Sequence, residues 1–280
     1  MKRLKKLADS KILTFLFKSC VIIKVIIIEF NIKHKIGVIV AMETIIKYFG
    51  VSAFEIRTAK ANILIDPFIR NNPFSAVKIE EIKDIQLILV SHGAFDHLGN
   101  TLEIANSCDS TVIADPAVGH YLVQNGLNPE KLVTFVWGMD EIFHGLRVKC
   151  VETKHCSFIL NGNQFISGTP LGFVVYTSNA VIYHPGDTSL FTDMKLIGDL
   201  YRPTVALIPV GAAPRADCYA ELHPDEAAIA VSWLKPKIAV PMHYKPGSKE
   251  PEIFEKLCKL KCGDLTKVEI INPGEELNIP

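Results

Sequence analysis

Neither sign of charge is in excess in this sequence: 30 Lys and Arg stand against 30 Asp and Glu. A protein dedicated to nucleic acid carries a basic surplus, so no nucleic-acid partner is expected. There is no C-x-x-C pair. The seven cysteines (Cys20, Cys108, Cys150, Cys156, Cys218, Cys258 and Cys262) follow no regular spacing, which predicts reduced, core-packed thiols and a cytoplasmic protein. No long uninterrupted apolar run is present. A membrane-spanning helix needs about 20 mostly apolar residues, and Lys18, Lys24 and Glu29 break the Ile/Val/Phe-rich stretch near the start. Repeats, low-complexity tracts and linkers are missing from 42–280. What is there is a globular chain: 280 residues, 49% hydrophobic, enough to bury a sizeable core.

The neutral total is uneven along the chain. Residues 1–41 hold nine Lys and Arg against two Asp and Glu, a net +7, which leaves −7 over 42–280. That leader lacks the continuous apolar stretch and the cleavage site of a signal peptide. We expect 1–41 to be an extension outside the fold, with the functional domain spanning 42–280. METIIKYFG opens a strand-like pattern at once. A basic segment seeking a membrane surface is the alternative.

From Met42 onward the pattern predicts strands at 44–49, 53–57, 62–65, 85–91, 111–114, 131–136, 146–153, 172–177, 180–183, 204–209, 238–241 and 267–271. Helices are expected at 98–107, 116–125, 190–200, 224–234 and 251–260. Pro224, Asp225 and Glu226 form a favourable first turn, and Lys235-Pro236 ends that helix. Hairpins early and strand–helix alternation later imply α/β sheets covered by helices in one domain. The NGNQ run at 161–164 reads as a hairpin turn.

Chemistry collects at strand ends. IQLILVS runs into His92, with Asp96 and His97 close behind. LRVKCVET ends at Lys154-His155, AVIY runs into His184 and Asp187, and KIAVPMHY delivers His243. Strand C-termini at one sheet edge are where such folds hold ligands. Imidazoles and carboxylates from separate strands can converge on one or two divalent ions, and the mixture suits zinc, iron or manganese. Adjacent Asp96 and His97 point different ways, so they can reach one metal while His92 reaches a neighbour. Two metals about 3.5–4 Å apart would share a water whose pKa falls toward roughly 7, giving a hydroxide nucleophile.

SHGAFDHLGN resembles the H-x-H-x-D-H signature of the metallo-β-lactamase fold. The stretch from HCSFILNGNQ through YHPGDT to LIPVGA, and ELHPDEAAIAVSWLKPKIAVPMHY after it, resemble one branch of that family. The branch holds uncharacterised metal-dependent hydrolases similar to ascorbate-6-phosphate lactonase and, more distantly, N-acyl-phosphatidylethanolamine phospholipase D. The resemblance covers about 42–280. It implies a four-layer αββα sandwich with metal at one edge. It also implies a hydrolase whose metal-bound hydroxide attacks an ester, lactone or phosphoester-type bond of a small molecule, and it is compatible with a homo-oligomer. By position, His92 and His155 match ligands of a first metal, Asp96, His97 and His243 match ligands of a second, and Asp187 matches the bridging carboxylate. Asp96, Asp187 and His223 are the implied catalytic residues, with His223 near substrate.

Two positions depart from the pattern. Ala94 replaces the second histidine of the signature, and Val51 stands where the branch has a histidine in G-H-x-x-F. Three arrangements stay open: a binuclear site whose gap is filled by water, His223 or Cys156; a mononuclear site on Asp96, His97, Asp187 and His243; or a non-catalytic binding protein on the same fold. His223 could equally cap the helix that starts at Pro224. His184 is either a neighbour orienting Asp187 or an ordinary strand-end residue. Cys156 and Cys218 are expected to be buried structural thiols. His34, His120 and His144 have no constellation around them.

Overall fold

Period-two alternation in the early strands builds the first layer. The computed structural model describes residues 43–211 and 220–280; the expected extension 1–41, with Cys20 and His34, and Cys218 lie outside the described residues. The strands are β1 (Thr44–Gly50), β2 (Ala53–Arg57), β3 (Asn62–Ile65), β4 (Leu87–Leu89), β5 (Thr111–Ala114), β6 (Leu132–Thr134), β7 (Asp140–Phe143) and β8 (Leu146–Val151). They continue with β9 (Ser157–Asn161), β10 (Gln164–Gly168), β11 (Gly172–Tyr176), β12 (Val181–His184), β13 (Val205–Pro209), β14 (Ile238–Met242), β15 (Lys267–Val268) and β16 (Glu276–Ile279). One seven-stranded sheet runs β16-β1-β2-β3-β4-β5-β6 and the other β15-β14-β13-β12-β11-β8-β7, while β9 and β10 form a separate hairpin.

Along β3 and β4, Ile63, Ile65, Leu87 and Leu89 join the core shared with Val148, Phe173, Ile182 and Leu207 of the other sheet. Their neighbours Leu64 and Ile88 point the opposite way, into a second cluster with Ile104, Val118 and Leu122. Those last three come from helices α2 (Thr101–Cys108) and α3 (Pro116–Gln124), which follow the short α1 (Phe95–Leu98). On the other sheet, helices α4 (Met194–Tyr201), α5 (Pro224–Leu234) and α6 (Glu250–Cys262) cover the remaining face, with α5 packed on β13. The layers are therefore helix, sheet, sheet, helix, the expected αββα sandwich. Each fully buried Leu or Ile contributes roughly 1.5–3 kcal/mol to holding them together.

The single helix expected over 98–107 is two helices, broken at Gly99 and Asn100. Gly99 has φ +43°, and a Cβ there would lie 2.4 Å from the Pro67 carbonyl oxygen, so the backbone must turn where no other residue fits. Asn100 Oδ1 then accepts from the Ile69 and Arg70 amides at 3.0 and 2.9 Å, tying the turn to the loop after β3. Four strands were not foreseen: β7, β9, β10 and β16. All four carry exposed residues, so their apolar alternation is diluted by polar and charged side chains. The turn at 161–164 does connect β9 to β10 as expected.

Candidate metal centre

Parallel pairing explains why the ionisable groups meet. Strands β3 and β4 are parallel, as are β12, β13 and β14, so within each group the C-terminal ends share an edge. From the first sheet Asp66 follows β3, His92 follows β4, and Asp96 and His97 sit in α1. From the second, His155 lies in the loop after β8, Asp187 just beyond β12 and His243 just beyond β14. The structure brings His92, Asp96, His97, His155, Asp187 and His243 into one cluster.

Asp187 is its centre. Its Oδ2 lies 3.1 Å from His97 Nε2, 3.2 Å from His243 Nε2, 3.8 Å from His155 Nε2 and 3.9 Å from His92 Nε2. His243 Nε2 is also 3.7 Å from Asp96 Oδ2. Among the described residues, three groups of donor atoms lie close enough to hold an ion: His92, His97 and Asp187; Asp96, His97 and His243; and His155, Asp187 and Glu221. Asp66 and His243 both adopt positive φ, 47° and 60°, at a cost of about 1–3 kcal/mol each. The His243 amide donates to Val51 O at 2.7 Å, which holds that strained turn in place.

Burial and mutual charge set the protonation of the cluster. Burial opposes ionisation of Asp187, yet His243 and His97 hold its carboxyl well below the usual carboxylate range. Burial likewise disfavours charged His97 and His243. Asp187 and Asp66 nevertheless raise His97 well above its ordinary value, and Asp187 lifts His243 to about 10. Burial lowers His92 and His155. Without an ion, protons on His97 and His243 therefore supply the positive charge that Asp187 demands.

These residues fit a divalent ion. His92 Nε2, His97 Nε2, His243 Nε2 and Asp187 Oδ1 are buried with no hydrogen-bond partner of good geometry. An unmet buried polar atom costs about 1–3 kcal/mol, and four such atoms in one cluster mark a place built for something else. Their other ring atoms are fixed. His97 Nδ1 is 2.8 Å from Asp66 Oδ2, His92 Nδ1 is 3.0 Å from Ser91 Oγ, and His243 Nδ1 is 3.3 Å from Gly211 O. Orienting partners of this kind are what metal-ligating histidines carry.

A cavity of about 700 Å³ opens beside the cluster. Asp96, His155, Asp187 and His243 line one side, and Phe95, Phe158, Ile159, Leu160 and Tyr121 supply apolar surface. Ala94 lines it too and offers no donor. Val51 is fully buried and contributes only its carbonyl. Cys156, expected to be buried, is exposed, because the loop between β8 and β9 carries it to the cavity wall. His223 is exposed and occupies the N-cap of α5, where its amide donates to Glu226 Oε2 at 3.2 Å; it is not in the cavity lining. His184 is buried: Nδ1 accepts from the Gly186 amide at 3.0 Å and Nε2 meets Ser52 O at 3.0 Å, so it fixes the turn that presents Asp187.

Two residues escaped the sequence reading. Asp66 ends the apolar run NILI, the same strand-end signal that revealed the others. Glu221 lies ahead of α5 with no such signal; burial and Asp187 raise its carboxyl to about 7.

Residues 61–244 match the model of the β-lactamase superfamily domain. The chain is 37% identical over 238 residues to a UPF0173 metal-dependent hydrolase of Caldivirga maquilingensis, covering 84% of this chain and 98% of that one. It is 38% identical to the Pyrococcus abyssi counterpart, covering 84% and 99%. Igni18, a metallo hydrolase of Ignicoccus hospitalis, superposes with a TM-score of 0.72 at 28% identity, covering 85% of this chain and 99% of that chain. YhfI of Bacillus subtilis, a metallo-β-lactamase fold protein, shares the fold at TM-score 0.62 and 12% identity, covering 85% and 99%. The fold and its edge cluster thus define a metallo-β-lactamase-type hydrolase. More narrowly, the chain belongs to the UPF0173 metal-dependent hydrolases of the β-lactamase superfamily. It is an enzyme, and its hydrolysis is metal-dependent. Among the described residues no helix is long and apolar enough to cross a membrane.

Proposed function

We propose that this hydrolase cleaves a carboxylic ester or lactone that carries an apolar group, and that the cavity beside Asp187 is its active site. Asp96, His97, Asp187 and His243 would hold one ion. His92 and His155 would hold another, with Asp187 shared between the two. Zinc suits this histidine-rich set, as do manganese and iron. When bound, such an ion activates water at neutral pH and polarises the electrophile. The observation that carries the reading is the convergence of the buried, unpartnered His92 Nε2, His97 Nε2, His243 Nε2 and Asp187 Oδ1.

The choice of bond rests on the walls of the cavity. Among its described lining residues there is no Lys or Arg, while Asp96, Asp187 and Glu221 are carboxylates. A phosphoester would bring further negative charge that no Lys or Arg among the described lining residues meets. A neutral carbonyl substrate meets no such penalty, and Phe95, Phe158 and Leu160 can cover its apolar part. Such a cavity is the size of a small-molecule site. Asp66 and His184 contribute by holding the His97 ring and the Asp187 turn.

The test is a panel of matched carboxylic esters, lactones and phosphodiesters, run on protein loaded separately with zinc, manganese and iron. Turnover of esters or lactones that a chelator abolishes is expected. Turnover confined to phosphodiesters, or indifferent to chelator, overturns the reading.

A further inference from the structure

Among the described residues the His92–His155–Asp187 set is one donor short, because Ala94 stands where the signature has histidine. We propose that Glu221 supplies the missing donor and completes this first ion site, an inference that rests on the cavity holding metal as read above. One Glu221 carboxylate oxygen lies within 4.8 Å of donor atoms on both His155 and Asp187. Glu221 and Ala94 line the same cavity. Asp187 Oδ1, on a side chain only 4% exposed, has no hydrogen-bond partner.

The other residues that could fill the gap do so less well. Cys156 lines the cavity but joins none of the donor groups found among the described residues. His223 is exposed at the helix N-cap, away from the lining. Glu221 is set two residues before that cap, within reach of both His155 and Asp187. The exchange has a chemical consequence. A carboxylate in place of an imidazole leaves the first site with two histidines and two carboxylates, a harder donor set that shifts preference from zinc toward manganese.

The experiment measures bound metal on the full chain, with zinc and manganese each titrated against a competing chelator. The wild type is expected to hold two equivalents. Glu221→Gln should lose one, or bind it more than about tenfold more weakly, while a thermal melt reports that it remains folded. Ala94→His placed on Glu221→Gln should restore the second equivalent, since it returns the histidine that the signature has at that position. Two equivalents of unchanged affinity in Glu221→Gln overturn the proposal, even if activity falls. Failure of Ala94→His to restore the ion overturns it as well. A wild type that holds only one ion sinks the Glu221 proposal but not the metal site; a wild type that holds none sinks the reading of the site beneath it.

Discussion

Asp66 Oδ2 lies 2.8 Å from His97 Nδ1, and both side chains are fully inaccessible to solvent. A carboxylate only accepts, so His97 Nδ1 donates, and in the neutral ring that binds an ion this leaves the Nε2 lone pair free and turned toward Asp187. Ser91 completes the arrangement: its amide and its hydroxyl donate to the two oxygens of Asp66 at 2.7 and 2.6 Å. Asp66 does not line the cavity; it acts by holding the His97 ring, whose Nε2 belongs to the donor cluster.

Asp66→Asn should therefore weaken metal binding by about 10–100-fold, because an amide can meet either tautomer and fixes neither. Competition with a chromophoric chelator measures this directly. Affinity equal to that of the wild type would remove Asp66 from the site.

Stripping the metal should lower the melting temperature as well as stop hydrolysis. An ion that binds only the folded chain adds about 2.7 kcal/mol of stability when present at a hundred times its dissociation constant. Thermal melts of chelated and reloaded protein check this, and equal melting temperatures would count against the unpartnered donors being ligands.

His184 gives the metal-free protein a definite acid sensitivity. Burial holds its pKa below the ordinary value of 6.5, since a charged ring there loses solvation and could no longer accept from the Gly186 amide. A depressed folded-state pKa means that the unfolded chain binds the proton more readily. Its contribution to stability is thus full above about pH 6.5 and is lost as pH falls toward the lower folded value. Chelated wild type should lose stability more steeply than His184→Gln between pH 6.5 and 5 in urea titrations. Parallel slopes would show that His184 does not titrate in that window.

Gly99→Ala should cost about 3 kcal/mol, combining a positive-φ backbone with a Cβ forced against Pro67 O. Because Gly99 directly follows the helix that carries Asp96 and His97, the same variant should weaken metal binding. Urea midpoints and metal titration are the two measurements, and a shift under about 1 kcal/mol would mean that the turn relaxes freely.

Much of the fold was legible because apolar strands state their own period. Runs such as NILI, TVIA and VALIP are strands by composition and spacing alone, and the matching segments form β3, β5 and β13. Strands with exposed residues hid: DEIF and ELNI pair in the sheets only because a neighbouring strand is there to receive them. The candidate site followed the same division. His92, Asp187 and His243 announced themselves at the ends of apolar runs. Glu221 did not, since what makes it interesting is a distance to Asp187 across more than thirty residues of sequence.

The sequence by itself determined the residue types, their order and the strand ends they occupy. It also determined that Ala94 has no donor atom, a matter of covalent chemistry that no folding can alter. Only the tertiary structure decided which groups share a cavity. Parallel pairing within two separate sheets carries Asp66, His92 and His97 to the same edge as Asp187 and His243, and β8, antiparallel to β11 as β11 is to β12, runs the same way and brings His155 there. It turned Cys156 outward and set His223 as a helix cap. Contacts of a few ångströms between segments far apart in the chain depend on sheet register and layer packing, which local spacing does not encode.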